Sequence, residues 1–392
     1  MNEFGEPMSI KTKRRITLVV FLILAVIFSV VLYNIATDYH EKENEKSDEL
    51  ALLDSELHTD IGNQESDPEK DKELAEKMKN YNFYQKLKER LDVNILFLGN
   101  ESAAGTKASN WPIILKDELL YTYRSNVKGA TYAISGTDTF FGYHMMNVGD
   151  YLMNSLKRRL VYDLVVISYG KGEDPETFEF FYDGLVRSVK HQNPKCELIC
   201  IIEASSDGKN ENGEKIREIC EYYGGICLDM NEYFAQKRAN LKTALKNGNV
   251  PTDEGNKLYF SLIDSVIADN YNSERIIPEI TEPRIESSEK FENYRFVDIA
   301  DMKKVSDTVY EITVSESIAS LFFYNSYSGD RINVYLNGKK IITQNNKQSN
   351  NSVRQIDVIL ISSELEGTNK IRIETRNETN MSNILGVALS GK

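Results

Sequence analysis

The sequence predicts a single-pass membrane protein whose outer part joins a three-layer α/β domain to a C-terminal β-sandwich of jelly-roll type. Three observations predict this class. An uncharged apolar run lies near the N-terminus, short apolar runs alternate with amphipathic stretches through the middle, and runs of period-two character fill the C-terminal part. The first pattern is typical of a membrane span, the second of parallel βαβ units and the third of an antiparallel sandwich.

The composition excludes several function classes before any motif is considered. The chain has 392 residues and a net charge of −13, which argues against nucleic-acid binding because that binding neutralises phosphates with Lys and Arg. Four cysteines without CxxC spacing argue against a disulfide scaffold and a structural zinc site. The four histidines are scattered, at His40, His58, His144 and His191. No cofactor and no metal are therefore expected.

Residues 16–36 form the predicted membrane anchor. Their apolar run follows four basic residues within 11–15, and about 20 helical residues suffice to span a bilayer. Basic residues before the run and acidic residues after it place residues 1–15 in the cytoplasm and the main domains outside the cell membrane. A cleaved signal peptide is the alternative, but its apolar run would be shorter, and residues 34–38 offer a poor cleavage site.

Residues 37–80 are interpreted as an acidic extracytoplasmic linker. Between residues 38 and 79, fifteen Asp or Glu accompany six Lys, so this stretch carries −9 of the net charge of −13. Such charge density with few aromatic residues does not support an independent core. We interpret the stretch as a solvated stalk rather than an acidic binding tail, and a helical pattern from residue 68 leads into the first domain.

Residues 81–275 are predicted to form the α/β domain. Five apolar runs are typical of buried strands, at 94–99, 131–135, 163–169, 197–203 and 225–230. The stretches between them and two closing segments are predicted helices, at 112–120, 144–160, 175–190, 214–223, 231–246 and 253–269. This alternation implies a parallel sheet with right-handed crossovers. In such sheets the working groups lie on loops at the carboxyl ends of the strands.

Four sequence blocks lie on these loops. They are Phe97-Leu98-Gly99-Asn100-Glu101-Ser102-Ala103-Ala104-Gly105, Ala133-Ile134-Ser135-Gly136, the segment 166–174 and the segment 247–259. In this order and at these strand ends, the blocks resemble those of the SGNH/GDSL hydrolase family over about residues 82–270. The resemblance implies a flavodoxin-like parallel sheet and a serine esterase site, with the backbone N–H of Gly136 as an oxyanion-type donor.

The departures from the family pattern bear directly on activity. By spacing, the nucleophilic serine position holds Glu101, and the asparagine position of the third block holds Gly172. The aspartate and histidine positions hold Asn247 and Val250, so that only Gly136 remains of the family's named groups. Ester hydrolysis by this design needs a hydroxyl nucleophile, a base and oxyanion donors. The resemblance therefore implies a degenerate site without standard esterase activity.

Other residues on the same loops offer alternative chemistry. Ser102 lies one residue beyond the nucleophile position, but no histidine follows His191 to act as its base. Glu101, Glu173 and Asp174 are expected near one cleft, where paired carboxylates act on a glycoside or hold a hard cation. Solvated loop acids are the simpler interpretation of these three residues.

Buried roles are expected for the cysteines and for one histidine. Cys200 and Cys227 lie in predicted strands, where cysteine behaves as a small hydrophobic residue. Cys196 and Cys220 lie nearer the ends of elements, and the pairing of the four thiols stays open because sequence alone does not give disulfide connectivity. His144 lies on a predicted helix, where a packing role is favoured over catalysis.

Residues 288–392 are predicted to form the β-sandwich. Short alternating runs indicate strands at 294–299, 308–314, 320–327, 331–336, 340–343, 353–360, 370–375 and 384–389. Asn337-Gly338 favours the tight turn of a hairpin. The domain resembles sandwich modules appended to carbohydrate-active proteins. Five aromatic residues could stack on sugars, although most are expected in the core: Phe322, Phe323, Tyr324, Tyr327 and Tyr335.

The sequence favours a membrane-anchored, catalytically degenerate SGNH-like protein that binds a cell-envelope polysaccharide or assists its modification. The anchored arrangement is similar to that of SGNH-fold proteins that assist acyl transfer onto envelope polymers, which implies membrane-bound acyl-transfer machinery as a partner. The alternative is an active esterase, acyltransferase or carboxylate-based glycan hydrolase with a site rearranged around Glu101, Ser102, Glu173 and Asp174. A third hypothesis, a structural spacer, predicts neither turnover nor glycan binding.

Overall fold

The structure is a computed structural model that describes residues 80–105, 107–153, 160–325, 331–345 and 355–391. The predicted tail, the anchor at 16–36 and almost all of the linker lie outside the described residues. Of the helices within the described ranges, none combines the length and the apolar character that crossing a membrane requires.

The N-terminal described domain alternates strands and helices. Its strands are β1 (Val93–Gly99), β2 (Val127–Ala133), β3 (Leu164–Ser168), β4 (Glu197–Ile202) and β5 (Ile226–Asp229). Its first five helices are α1 (Phe83–Lys88), α2 (Trp111–Tyr123), α3 (Thr139–Met153), α4 (Pro175–Gln192) and α5 (Gly213–Tyr222). It closes with α6 (Met230–Gln236), α7 (Leu241–Ala244), the short hairpin β6 (Leu245–Lys246) and β7 (Val250–Pro251), and α8 (Asp253–Asn272).

The five strands form one parallel sheet in the order β2-β1-β3-β4-β5. Residues of β1 alternate between two cores: Leu96 and Leu98 pack against α3, α4 and α5, whereas Ile95 and Phe97 pack against the face that carries α2 and α8. This period of two explains why the central strands are apolar throughout, since both faces of the sheet are covered by helices. The predicted three-layer α/β domain is confirmed.

Two helix predictions differ from the structure. Helix α3 begins at Thr139 rather than at 144, because the carboxylate of Glu173 accepts its first N–H and Asp138 accepts the N–H of Phe141. The helix predicted over 231–246 is interrupted after α6. Arg238 adopts a left-handed conformation (φ 53°), and the side chain of Asn240 caps the short α7.

The C-terminal domain is a sandwich of two antiparallel sheets. Its strands are β8 (Arg295–Asp298), β9 (Lys303–Ser306), β10 (Val309–Val314), β11 (Ile318–Tyr324), β12 (Arg331–Leu336), β13 (Lys339–Asn345), β14 (Ile356–Ser362), β15 (Asn369–Thr375) and β16 (Ile384–Ser390). The sheet orders are β13-β12-β15-β10-β9 and β14-β11-β16-β8. Asn337 and Gly338 both have positive φ between β12 and β13, which confirms the predicted tight turn. Strand β9 was not predicted because its residues are all exposed.

The two domains share a continuous core. Phe322 belongs to the core beneath α3 and α4, whereas its neighbour Phe323 packs inside the sandwich. His144 of α3 is buried between Tyr294 and Ser320, with 3.0 Å from Nδ1 to the tyrosine hydroxyl and 3.1 Å from Nε2 to the serine Oγ. Burial lowers the pKa of His144 to about 3, so this histidine is a neutral contact between the domains.

The four cysteines are all free thiols. Cys196, Cys200 and Cys220 are buried, and Cys227 lies opposite Cys200 on the neighbouring strand. Burial raises the pKa of the Cys196 thiol to about 12 and that of Cys220 well above its ordinary value. These thiols are packing groups rather than nucleophiles.

Candidate ligand-binding cleft at the carboxyl end of the sheet

The loop after β1 is held in place by its own polar side chains. Asn100 is buried, and its Oδ1 accepts the N–H of Ser102 at 3.0 Å. The indole Nε1 of Trp111 donates to the carbonyl of Ser102 at 2.9 Å, which ties the loop to the start of α2. These contacts fix the directions in which Glu101 and Ser102 leave the backbone.

Glu101 reaches across to the loop that follows β2. Its Oε2 accepts the backbone N–H of Gly136 at 3.1 Å. Gly136 has a left-handed φ of 79°, and a Cβ there would meet no atom within 4 Å, so the space beside its Cα is open. The group that the family resemblance identifies as an oxyanion donor is therefore engaged by the carboxylate at the nucleophile position.

Ser102 is directed into the interior. Its hydroxyl donates to the carboxylate of Glu203 and lies 2.6 Å from the Oγ of Ser168. Only 5% of Ser102 is exposed. Its position one residue beyond Glu101 has therefore turned the side chain away from the open space and into a buried polar network.

Glu203 is the centre of that network and was not singled out from the sequence. It follows β4 and is 1% exposed. Its carboxylate accepts Ser168 Oγ at 3.2 Å, Asn100 Nδ2 at 3.3 Å and the backbone N–H of Lys171 at 3.2 Å, in addition to the Ser102 hydroxyl. Burial raises the pKa of Glu203, while the four donors lower it. The sequence feature that could have identified Glu203 is its position as an acidic residue directly after an apolar strand.

The hairpin β6–β7 carries the two remaining family positions. Asn247 lies in its turn, exposed and with a left-handed φ of 54°. Val250 begins the return strand and lines a cleft of about 680 Å³ together with Glu101 and Asn256. Asn256 accepts the N–H of Trp111 at 3.0 Å and donates to the carbonyls of Pro251 and Thr252, so the cleft wall is braced by α8. An aliphatic side chain thus lies where the family's histidine is expected.

Glu173 and Asp174 have local structural partners. The two carboxylate oxygens of Glu173 accept the N–H groups of Thr139 and Gly170, each at 2.9 Å. Burial raises the pKa of Glu173 to about 7. Asp174 caps α4 by accepting the N–H of Glu176 at 3.2 Å. Neither residue lines the cleft that Glu101 lines.

Glu101 and Glu173 nevertheless meet the same loop. Glu101 accepts the N–H of Gly136 and Glu173 accepts the N–H of Thr139, so the loop after β2 is held between two carboxylates. Gly172 sits on the opposite side of Glu173 with a left-handed φ of 76° and open space where a Cβ would lie. Its N–H is 3.4 Å from the carboxylate of Glu211.

The cleft has both polar and apolar walls. Among the described residues that line it there is no histidine and no cysteine, and the Ser102 hydroxyl is engaged with Glu203. Within the described parts of the chain, no three His, Cys, Asp or Glu side chains are grouped so that they could hold a metal ion. Its charged and amide side chains offer hydrogen bonds beside apolar surface, which is the usual character of a small-molecule site.

The fold is similar to that of solved esterases. A two-domain esterase active on acetylated mannans, crystallised with mannopentaose, matches with a TM-score of 0.60 and 16% identity over 78% of this chain and 93% of that chain. A second structure of a two-domain esterase active on acetylated mannans matches with a TM-score of 0.59 and 16% identity over 78% and 94% of the two chains.

Another match covers a smaller share of this chain. A member of the lipolytic G-D-S-L family from Veillonella parvula matches with a TM-score of 0.35 and 11% identity, over 45% of this chain and 98% of that chain. No protein-family model and no curated protein matches the sequence. The strand order, the strand-end loops and the two-domain matches together define an SGNH-like fold followed by a β-sandwich.

Proposed function

We propose that this protein is a non-hydrolytic SGNH-like carbohydrate-binding protein, in which the former esterase cleft holds a glycan without cleaving an ester. One observation carries the proposal: the carboxylate of Glu101 stands at the nucleophile position and accepts the N–H of Gly136 at 3.1 Å. An esterase needs that donor for the developing oxyanion, and a carboxylate in its place repels negative charge. In this proposal the cleft binds the glycan but lacks the nucleophile on which ester hydrolysis depends.

The nature of the ligand is inferred from two sources. The cleft is lined by side chains of both charges and by amides, which suits a ligand with many hydroxyl groups; they include Glu101, Lys107, Asn110, Lys246, Asp253 and Asn256. The two-domain proteins with the same arrangement of domains are esterases of acetylated mannans. We therefore infer a polysaccharide ligand. We do not narrow it to mannan, because similarity of fold alone does not transfer a substrate.

The proposed location is the outer face of the cell membrane. This part of the proposal rests on the sequence of residues 16–36 and on the basic residues that precede them. An anchored glycan-binding domain would hold an envelope polysaccharide near membrane-bound acyl-transfer machinery. In this role the protein presents the polymer and the partner enzyme performs the chemistry.

A second candidate function is supported by a specific contact. Ser102 lines the cleft wall and donates to a buried carboxylate, so Glu203 could serve as the base for a rebuilt serine nucleophile. This candidate requires Ser102 to turn toward the cleft, away from Glu203 and Ser168. It predicts slow esterase or acyltransferase activity that depends on both Ser102 and Glu203.

One set of measurements separates the candidates. The full-length chain, kept in mild detergent because of the predicted anchor, is tested for hydrolysis of an aryl acetate beside Ser102→Ala and Glu101→Ala. The same proteins are titrated calorimetrically with mannopentaose, cellopentaose, xylopentaose and chitopentaose. Val250→Trp fills the cleft and serves as the binding-deficient variant.

For the non-hydrolytic proposal we expect no turnover above buffer and binding of at least one oligosaccharide. Ser102→Ala should bind like the parent, and Val250→Trp should lose one binding site per chain. Turnover that disappears in Ser102→Ala would instead establish the second candidate. Absence of both turnover and cleft binding would overturn the glycan-binding proposal.

A further inference from the structure

A second pocket lies at the junction of the α/β domain and the sandwich. It has a volume of about 370 Å³ and is bordered by the C-terminal part of α4 and by the segment that leads into β8. The segment is held in place because the carbonyl of Glu292 accepts the N–H of Gly391 at 2.7 Å. These elements belong to both domains and pack in one hydrophobic core, so the walls of the pocket are fixed relative to each other by that packing.

Two side chains of this pocket, the buried Arg187 and the half-buried Gln192, each have a buried polar atom without a hydrogen-bond partner among the described residues. Arg187 is 6% exposed and pairs through Nη2 with Glu292 at 2.5 Å, but its Nη1 has no partner among the described residues. Gln192 donates through Nε2 to Asn147 at 2.7 Å, but its Oε1 has no partner among those residues either. Buried polar atoms are nearly always paired, so two such atoms around one pocket indicate a missing partner.

One of the two unpaired groups is a hydrogen-bond donor and the other is an acceptor, and this limits which ligand groups can pair with both. Arg187 Nη1 is a donor and Gln192 Oε1 is an acceptor. A hydroxyl group can accept from the first and donate to the second, whereas a carboxylate or phosphate would have no proton for the glutamine. Both atoms are screened from solvent, so the terminal guanidinium and amide groups must rotate to meet a ligand.

The pocket continues into a neighbouring cavity. That cavity, of about 350 Å³, shares Asn147 and Tyr294 with the first and extends along α3 to the start of β8. Tyr151 lies at its wall, 36% exposed, with its ring centroid 5.9 Å from that of Phe296. Exposed aromatic rings beside polar side chains offer a sugar ring an apolar face together with hydrogen bonds.

We propose that this junction groove is a second carbohydrate-binding site, which holds a neutral oligosaccharide between the two domains. One sugar unit places hydroxyl groups against Arg187 and Gln192, and the next passes Tyr294 toward Tyr151. The site is built from the last turns of α4, which precede β4, and therefore lies away from the cleft at the carboxyl ends of the strands. It does not depend on the cleft being a glycan site.

The test uses the full-length Val250→Trp protein, in which the cleft is filled, so that the remaining binding reports the junction groove. Calorimetric titration with the same four pentasaccharides is repeated after Gln192→Leu and after Arg187→Lys. The lysine keeps the positive charge beside Glu292 but has a single nitrogen, so it removes the Nη1 group that faces the proposed ligand. Gln236→Leu is the matched control, because Gln236 is an exposed glutamine that also donates one Nε2 hydrogen bond, to Glu232.

We expect one binding site per chain in the Val250→Trp protein. Gln192→Leu and Arg187→Lys should each weaken that site about tenfold, the loss of one hydrogen bond to a hydroxyl, while Gln236→Leu should not. Affinity that is equal in Gln192→Leu and Gln236→Leu would overturn the proposal. So would absence of binding in the Val250→Trp protein, which would mean that water alone occupies the groove.

Discussion

The cleft at the strand ends and the groove at the domain junction differ in how their polar groups are hydrogen-bonded. In the cleft region, Glu101 accepts the N–H of Gly136 and Ser102 donates to Glu203, so the polar groups of the strand-end loops are paired with one another. In the groove, Arg187 Nη1 and Gln192 Oε1 are buried but have no partner among the described residues. The two regions therefore differ in whether their buried polar atoms are paired.

This difference illustrates that two proteins can share a fold without sharing a function. The sheet still brings four loops together at its carboxyl end, as an SGNH-like fold requires. At those loops the side chains of Glu101 and Ser102 take part in hydrogen bonds that hold the loops in place. Buried polar groups that lack partners are costly, so a region that contains them is a further place to look for ligand binding.

The largest expected effect tests whether the cleft network is structural. Glu203→Leu removes the acceptor for Ser102, Ser168, Asn100 and the Lys171 N–H. We expect a loss of about 3–5 kcal/mol in the free energy of unfolding, because several buried donors lose their partner. Urea denaturation measures it, and Glu203→Gln, which keeps one acceptor oxygen, should lose clearly less. A loss below about 1 kcal/mol in Glu203→Leu would show that the network contributes little to stability.

The next largest effect is the contribution of Glu173 to the pH dependence of the free energy of unfolding. Its pKa is raised from 4.5 to about 7 by burial, so the folded state binds this proton more tightly than the unfolded state does. The resulting stabilisation is complete below about pH 4.5 and is lost as the pH rises through about 7. A shift of this size corresponds to about 3 kcal/mol.

Glu173→Gln should therefore lose less stability between acid and neutral pH than the parent does. Urea denaturation at a series of pH values measures the difference. Glu176→Gln, two residues from Asp174 in the exposed first turn of α4, is the matched control and should keep the parent's profile. A Glu173→Gln profile that follows the parent's would contradict the assignment.

A smaller effect is expected at the domain junction. His144→Phe keeps an aromatic ring but loses the hydrogen bonds to Tyr294 and Ser320, at an expected cost of about 2 kcal/mol. The pKa of His144 is lowered from 6.5 to about 3, so the contribution of this histidine is complete above about pH 6.5 and is lost as the pH falls toward 3. The loss caused by His144→Phe should therefore be constant from about pH 7 to pH 8 and should shrink as the pH falls from about 6.5 to 5. Thermal unfolding across this range measures it, and a loss that grows toward low pH would mean that the histidine is charged in the native protein.

The smallest effect is expected in the groove. Gln192→Leu removes an unused acceptor together with the single hydrogen bond to Asn147, so the free energy of unfolding should fall by only about 1 kcal/mol. The difference between this loss in free energy of unfolding and the loss in Glu203→Leu shows how much more the paired groups near the cleft contribute to stability than those of the groove. A larger loss at Gln192 than at Glu203 would reverse the comparison.

Much of the fold was predictable because its signals are local. The apolar runs of the central strands mark a sheet covered on both faces, and Asn337-Gly338 marks a hairpin turn by the conformational freedom of its residues. The four strand-end blocks placed Glu101, Gly136 and Val250 in one region. The start of α3 was missed because its cap is Glu173, which is distant in sequence.

The candidate sites depended on contacts that no local pattern records. Nothing in the sequence indicates that Ser102 turns toward Glu203, since the direction of a loop side chain depends on how β1, β3 and β4 are packed. The groove depends on the approach of Arg187 to Glu292, which are 105 positions apart. The sequence by itself determined the layers and the loops that meet at the sheet edge, because periodicity and turn propensity act over a few residues. Only the tertiary structure decided which polar groups are paired and which are left for a ligand, because pairing depends on distances between segments that are remote in the chain.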